Sequence, residues 1–256
     1  MQIRVLGCSG GIGKGLRTTS LLIDDDILID CGTGVGDLTM DELVKIRHIF
    51  ITHTHLDHLA SLPLLVDTVF DHLNGEPIKL HLLPESLKTL DEHLFNWKLW
   101  PDFFVLPEAG SAVMQPCVME PGKIAKIRGR EIEMIPVEHA VPAVGYRVTS
   151  ESGKTFAFSG DSCENDTFWE GLNKHSRLDI LFVECAYADH DKTLSKLARH
   201  YCPESLSADM KKLTHQPEVY ITHLKPGDEA EILLELQAAM PDRNPKALNT
   251  GDSFQL

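Results

Sequence analysis

The stretch His53-Thr54-His55-Leu56-Asp57-His58 places four metal-binding side chains within six residues. It follows the apolar run His48-Ile49-Phe50-Ile51-Thr52, which predicts a buried strand. The residues that come next, 59–66, predict the start of a helix. Because imidazole and carboxylate groups are common metal ligands, this density of them at a strand end indicates a metal site.

The composition is ordinary for a folded globular protein. The chain has 256 residues, of which 43% are hydrophobic and 24% are charged, so one large domain can bury a substantial core. No apolar run approaches the ~18 residues of a membrane span. The first residues, Met1–Leu6, are already strand-like and lack the pattern of a signal peptide. We therefore expect a cytoplasmic protein without a membrane anchor.

The charge disfavours a large nucleic acid as a partner. The formal net charge is −14, and the longest basic pieces are only residues 126–130 and Lys211-Lys212. An acidic protein repels a polyanion, whose binding depends on neutralising its phosphates. A small anionic substrate that is held at metal ions remains compatible with this charge.

The order of predicted elements indicates two similar halves. In residues 1–122 we predict strands at 3–8, 18–23, 27–30, 48–52 and 78–82. We predict helices near 39–45, beyond Pro63 in the segment 59–75, and at 84–95. In residues 123–256 we predict strands at 123–127, 131–137, 144–149, 155–159, 180–183 and 219–222, and helices near 165–173, 191–199, 203–213 and 228–239. Segment 110–122 is loop-like or short-stranded.

The glycine-rich segment Gly10–Gly15 predicts a hairpin turn. A phosphate loop needs Gly-Lys-Ser/Thr at the start of a helix, but Lys14 is followed by Gly15 and then by a predicted strand. The segment therefore does not indicate a nucleotide-binding loop of that type.

A short sequence pattern occurs once in each half. Residues 49–53 and 219–223 both consist of an apolar run that ends in Thr-His. This predicts that strand ends from both halves meet at one edge. Because no Pro/Ser-rich linker separates them, we predict one α/β domain over residues 1–256.

Three distant residues add candidate ligands to the local stretch. His139 ends a predicted strand, Asp161 follows the strand 155–159 and the flexible Gly160, and His223 ends another strand. The consistent placement of these residues at strand ends is a stronger signal than any single histidine.

The complete pattern resembles the metallo-β-lactamase superfamily, whose motif His-x-His-x-Asp-His stands here at residues 53–58. The resemblance runs from the strand end at 28–32 to Gly251-Asp252 and implies a four-layer αββα sandwich with two metals at its edge. It implies that one metal is held by His53, His55 and His139, the other by Asp57, His58 and His223, and that Asp161 bridges them.

The resemblance also bears on the metals and their chemistry. The nitrogen and oxygen ligands, with an aspartate at 161, suit Zn²⁺ first, and Mn²⁺ or Fe as alternatives. Two divalent ions roughly 3.5–4 Å apart share and activate a hydroxide at neutral pH and neutralise a phosphodiester oxygen. The same centre hydrolyses esters, lactams and lactones in other members, so the fold alone does not select a substrate.

Further segments resemble two branches of the superfamily. Residues 6–11, 56–62 and 94–102 are similar to segments of class II 3′,5′-cyclic-nucleotide phosphodiesterases. Val183-Glu184-Cys185-Ala186 and His200-Tyr201-Cys202-Pro203 resemble motifs of the tRNA 3′-processing endonuclease (RNase Z) branch. The second similarity implies that His200 is the general acid and that Glu184 orients it. With Asp57, these two residues are our catalytic candidates.

We therefore expect a dinuclear hydrolase of phosphodiesters, with a 3′,5′-cyclic nucleotide as its first candidate substrate and a metal-bridging hydroxide as nucleophile. The alternatives are an RNase Z-like or broad-specificity phosphodiesterase and a metal-binding scaffold without catalysis. The aromatic segment 95–104 predicts either a lid or a homodimer interface.

Overall fold

The computed structural model describes residues 1–108 and 110–256, which form two seven-stranded sheets. In spatial order, the first sheet contains β14 (Ser253–Gln255), β1 (Gln2–Gly7), β2 (Ser20–Ile23), β3 (Ile27–Ile29), β4 (His48–Phe50), β5 (Ile78–Leu82) and β6 (Met114–Val118). The second contains β13 (Lys246–Ala247), β12 (Glu218–Thr222), β11 (Ile180–Glu184), β10 (Thr155–Phe158), β9 (Ala143–Thr149), β8 (Arg130–Val137) and β7 (Ile124–Ile127).

Both sheets change from antiparallel to parallel pairing. In the first sheet β1, β2 and β3 are antiparallel, and β3 to β6 are parallel. In the second sheet β7 to β10 are antiparallel, and β10 to β13 are parallel. The carboxyl ends of the parallel strands in each sheet consequently lie along one edge, where side chains from separate parts of the sequence meet.

Helices cover the outer faces of the sheets. Their bounds are α1 (Met40–Leu43), α2 (Leu56–Leu59), α3 (Leu62–Val69), α4 (Pro84–His93), α5 (Thr167–Asn173), α6 (Lys192–Ala198), α7 (Pro203–Asp209) and α8 (Glu229–Ala239). None of the helices in the described part of the chain has the length and apolar character needed to cross a membrane.

Three apolar clusters show the four layers. One cluster joins the inner faces of the two sheets through residues such as Phe50 and Phe182. A second packs the first sheet against α3 and α4, and a third packs the second sheet against α5, α7 and α8. All five residues of β11 are buried, as expected for a strand that is covered on both sides. The predicted αββα sandwich is confirmed.

Several boundaries differ from the sequence prediction. The helix predicted beyond Pro63 is shorter than expected, because α3 ends at Val69 and a 3-10 turn follows at Phe70–His72. The short helix α2 at Leu56–Leu59 was not predicted. Pro63 lies in the first turn of α3, where its missing N–H leaves no hydrogen bond unmade, so it begins a new helix. The short strands β13 and β14 were not predicted. The glycine-rich segment is a turn, as predicted, with a bridge between Gly13 and Leu16.

The predicted boundary between the halves lies between β6 and β7, which belong to different sheets. However, β14 lies beside β1 in the first sheet, although its sequence position is in the second half. We propose a division near residue 122 in which this last strand returns to the first half.

Candidate metal centre

Four strand ends bring candidate ligands to the same edge of the molecule. His53 follows β4, His139 follows β8, Asp161 follows β10 and His223 follows β12. All four side chains are buried. Strand β8 runs in the same direction as β10, because β9 lies between them and is antiparallel to both. Strand ends that are far apart in the sequence therefore form one polar cluster.

The structure brings all seven predicted metal-site residues together in two groups that share Asp161. Within each group the potential ligand atoms lie within 4.8 Å of one another. Asp57 and His55 are half-buried and the other five residues are buried. Oδ2 of Asp57 lies 3.8 Å from Nε2 of both His58 and His223. The groups are His53, His55, His139 and Asp161, and Asp57, His58, Asp161 and His223.

Buried ring nitrogens without a hydrogen bond fit a pair of divalent cations. Nε2 of His53 and His58 and Nδ1 of His223 make no hydrogen bond with any residue that the structure describes. A buried polar atom in this state costs on the order of 1–3 kcal/mol. All three atoms face Asp161, whose nearest oxygen is 3.7 Å from His53, 3.2 Å from His58 and 3.2 Å from His223. Bound cations would satisfy these atoms, and a nitrogen and oxygen donor set suits Zn²⁺, Mn²⁺ or Fe.

His58 is oriented by Asp30, a residue that the sequence pattern did not single out. Asp30 follows β3, is fully buried, and its Oδ2 lies 2.6 Å from Nδ1 of His58. It also accepts hydrogen bonds of 2.8 Å from the amide and the hydroxyl of Thr52. Since the carboxylate holds the hydrogen on Nδ1, the lone pair of Nε2 is available to a metal. The only sequence signal was an acidic residue that directly follows an apolar strand.

His139 is oriented by a backbone carbonyl. Its Nδ1 donates to the carbonyl oxygen of Arg199 at 2.8 Å, and its Nε2 lies 3.1 Å from Nδ1 of His55. Arg199 has a φ of 57°, in the left-handed region, which turns its carbonyl at the end of α6. Arg199 orients His139 through its backbone carbonyl, which every residue type has. The identity of residue 199 therefore gave no sequence signal for this role.

Burial lowers the pKa of four clustered imidazoles. The pKa of His139 falls to about 4 and that of His223 to about 3, and the pKa values of His53 and His55 are lowered too. These rings are therefore neutral near pH 7 and keep the lone pairs that metal binding requires.

His58 and Asp161 behave differently because they lie against opposite charges. Burial opposes the charged form of His58, but the carboxylates of Asp161 and Asp30 raise its pKa well above the usual value. Burial likewise opposes the charge of Asp161, and the neighbouring histidines hold its pKa well below the usual range. Asp161 is therefore an anion, and a bound cation would compete with a proton for Nε2 of His58.

His200 and Glu184, the other two catalytic candidates, lie beside this cluster. Nδ1 of His200 is 2.8 Å from Oε1 of Glu184, which also accepts a 2.9 Å hydrogen bond from the amide of Ser162. The His200 ring stacks on His223 with centroids 5.2 Å apart and meets the edge of His139 at 5.0 Å. Burial opposes the charged form of His200, but Glu184 raises its pKa. A histidine held this way can carry a proton next to the cluster.

Comparisons with known proteins agree with this fold. A family model described as "Beta-lactamase superfamily domain" matches residues 25–241. The chain is 23% identical to a probable 3′,5′-cyclic-nucleotide phosphodiesterase of Yersinia pestis, over 88% of this chain and 78% of that one. It is 30% identical to a ribonuclease Z of Clostridium acetobutylicum, over 92% of each chain.

The solved structure of unliganded yeast PDE1 has the same fold. It matches with a TM-score of 0.83 at 19% sequence identity and covers 100% of this chain and 99% of that one. These named relatives are hydrolases, and the His/Asp cluster suits divalent metal ions. Since the family model spans most of the chain, the protein belongs to the β-lactamase superfamily and has the metallo-β-lactamase fold.

Proposed function

We propose that the protein is a dinuclear metal-dependent phosphodiesterase that hydrolyses 3′,5′-cyclic nucleotides. The observation that carries this proposal is that Asp161 belongs to both ligand groups, so that one buried carboxylate can bridge two ions. We further propose Zn²⁺ as the first candidate metal, a cytoplasmic location and a homodimeric state.

The two ligand groups support a site for two ions. His53, His55 and His139 would hold one ion, Asp57, His58 and His223 would hold the other, and Asp161 would contact both. When bound, two divalent ions neutralise charge on phosphate oxygens and activate water at neutral pH.

His200 would protonate the leaving ribose oxygen. An alkoxide leaves poorly unless it receives a proton, and an imidazole beside the cluster is placed to donate one. Because Glu184 only accepts hydrogen bonds when ionised, it keeps a hydrogen on Nδ1 of His200 and fixes the plane of the ring. Glu184 therefore acts as a positioning residue.

The charge of the protein supports a small substrate over a long polynucleotide. At a formal net charge of −14, a polyanion is repelled before it reaches the cluster, whereas a cyclic nucleotide brings a single phosphate charge. An RNase Z-like activity is the second candidate, because the ribonuclease Z of Clostridium acetobutylicum matches over 92% of both chains.

A substrate panel on metal-reconstituted protein tests the proposal. The panel contains 3′,5′-cyclic AMP and GMP, a 2′,3′-cyclic nucleotide, an aryl phosphodiester, precursor tRNA and a lactone. We expect the highest kcat/KM on a 3′,5′-cyclic nucleotide. Faster cleavage of precursor tRNA would support the RNase Z-like alternative, and two bound metals without any hydrolysis would support a scaffold.

Two substitutions test the metal assignment. Asp161→Ala and His55→Ala each remove a proposed ligand, so we expect both to abolish turnover and lower the bound metal content. Circular dichroism of the metal-free variants controls for folding. Full activity in either folded variant would contradict the assignment.

A further inference from the structure

A cavity of about 640 Å³ opens next to the candidate metal centre, with His139 in its wall. Its other walls come from residues 83–85 after β5, residues 120 and 121 after β6, and the segment 136–144 around the β8–β9 turn. Since β5 and β6 are parallel to β4, which leads into His53, these segments lie at the same edge as the cluster. We name this cavity the acidic cleft.

The walls of the acidic cleft are apolar and locally stiff. Its sides include the following residues: Leu83, Pro84, Pro121, Pro136, Val141 and Pro142. A proline ring fixes φ, so these walls hold their shape more firmly than most loops. Ligand pockets with predominantly apolar walls and a few polar groups are typical of sites for flat organic molecules.

The polar side chains of the cleft are His139 and three carboxylates. Glu85, Glu120 and Glu138 line it, and none of its described lining residues is lysine or arginine. In the described part of the chain, no ion pair involves Glu85 or Glu120, and Glu138 approaches Arg199 only at 3.9 Å with both side chains largely exposed. Ionised carboxylates only accept hydrogen bonds, so the cleft offers acceptors that match a ligand with N–H donors.

We propose that the acidic cleft receives the base of the nucleotide and selects bases that carry an exocyclic amino group. This inference rests on the proposed function. Adenine, guanine and cytosine present such N–H donors to a carboxylate, whereas uracil presents carbonyl oxygens on both sides of its single N–H donor. A carbonyl that faces a carboxylate loses its hydrogen bond to water without a replacement. The same three charges repel the additional phosphates of a polynucleotide that would follow this path.

Cytosine and uracil nucleotides give the sharpest test, because the two bases have nearly the same shape. We would compare kcat/KM on 3′,5′-cyclic CMP, 3′,5′-cyclic UMP and bis(4-nitrophenyl) phosphate. The test variant is E85Q/E120Q/E138Q, which keeps the side-chain sizes and removes the charges. The control variant, E76Q/E92Q/E151Q, removes three exposed charges outside the cleft.

We expect the wild type to prefer cyclic CMP over cyclic UMP by about tenfold or more, as for a hydrogen bond to a charged group. This ratio should fall at least about fivefold in the test variant and stay unchanged in the control variant. Cyclic CMP and cyclic UMP carry the same phosphate charge, so their ratio cancels any general change in phosphate binding that removal of the three carboxylates causes. Bis(4-nitrophenyl) phosphate, which has no base, measures that general change. An equal ratio in the wild type and the test variant would overturn the inference and leave the proposed function standing.

Binding separates the failure of the inference from failure of the proposed function. If the metal-loaded wild type hydrolyses no phosphodiester, the proposed function is wrong. Calorimetric binding of CMP and UMP to the same protein then decides the inference by itself. Tighter binding of CMP that is lost in E85Q/E120Q/E138Q supports the acidic cleft as a base site, and equal or undetectable binding of both nucleotides overturns it.

Discussion

Asp30 positions a proposed metal ligand, although it belongs to neither ligand group itself. Its carboxylate lies 2.6 Å from Nδ1 of His58 and so holds that ring in the form whose Nε2 lone pair faces the cluster. The φ of Asp30 is 58°, a conformation that asparagine also tolerates. An Asp30→Asn substitution is therefore expected to keep the backbone conformation and to remove only the charge.

We expect Asp30→Asn to weaken metal binding about 10–100-fold, the usual effect of losing a carboxylate that supports a ligating histidine. Competition with a chromophoric zinc chelator measures this affinity. Asp24→Asn is the control, because Asp24 also has a positive φ, of 50°, and belongs to neither ligand group. Unchanged affinity in Asp30→Asn would show that this hydrogen bond does not orient the ligand.

The role of His200 is tested by the leaving group of the substrate. We expect His200→Ala to lower kcat on cyclic AMP by about 10²–10⁴-fold, the range for loss of a general acid. On bis(4-nitrophenyl) phosphate the loss should be less than about tenfold, because nitrophenolate leaves without a proton. Glu184→Gln should lower kcat in the same pattern, with the larger loss on cyclic AMP, but by smaller factors than His200→Ala. His190→Ala, which alters an exposed histidine, is the control.

Equal losses on both substrates would instead indicate that His200→Ala damages the metal cluster. Metal content of the variant, measured beside the kinetics, identifies that case. Such a result would contradict the role of His200 as general acid. It would not contradict the assignment of the seven proposed metal ligands.

At the residue scale, the sequence predicted the clustered side chains but not the groups that orient them. The seven clustered residues follow strands or lie in one short motif, so a local pattern was enough to place them together. Asp30 and Arg199 act across 28 and 60 residues of sequence, and Arg199 acts through its main chain. Contacts of this kind depend on tertiary structure and leave no periodic signal.

At the scale of elements, the buried strands were predictable because their apolar runs are continuous. The strands β4 and β12 lie within one or two residues of the predicted ranges, and each leads to its histidine. The two-residue β13 and three-residue β14 were missed because they are too short to show alternation. These two edge strands form because the neighbouring strand offers unpaired backbone N–H and C=O groups. Such groups become available only once the sheet has assembled.

Strand β5 carries a buried histidine that makes the fold sensitive to acid. His81 stacks on Phe50 with centroids 4.1 Å apart, and its Nε2 lies 3.0 Å from Nδ1 of His48. Burial, with smaller contributions from His48 and Lys79, lowers the pKa of His81 to about 3. The unfolded chain, with a pKa near 6.5, consequently binds a proton that the folded chain rejects.

We expect the free energy of unfolding to decrease as the pH falls from about 6.5 towards 3, by at most about 1.4 kcal/mol per pH unit from this residue. The contribution of His81 is fully present above pH 6.5, since both states are then neutral. His81→Phe should flatten this dependence. Urea unfolding of metal-free protein between pH 7.5 and 4.5 measures it, with exposed His93→Phe as the control. Identical slopes for the wild type and His81→Phe would contradict this prediction.

At the scale of the whole molecule, the family resemblance predicted the four layers, and the structure confirms them. The sequence could not decide between a lid and an interface for the aromatic segment 95–104. The structure divides this segment by exposure: Phe95 and Phe103 are buried in the core, whereas Trp97 and Leu99 are 62% and 63% exposed. Exposed large apolar side chains on a buried anchor are typical of contact surfaces.

The homodimer stays a prediction, and Trp97 and Leu99 are its proposed contacts. We expect Trp97→Ser with Leu99→Ser to convert dimers into monomers in sedimentation velocity experiments. Leu197→Ser with Leu234→Ser is the matched control, since these leucines are 80% and 67% exposed and lie on α6 and α8. A wild-type protein that is monomeric at every concentration would contradict this prediction.

The pairing of β14 with β1 also has a consequence for synthesis on the ribosome. Gln2 pairs with Gln255, so one edge of the first sheet receives its neighbour only after almost all of these residues have been translated. An uncovered strand edge is a template for pairing with another chain. We therefore expect nascent chains that lack residues 253–255 to bind holdase chaperones through β1, and this binding to end when β14 docks.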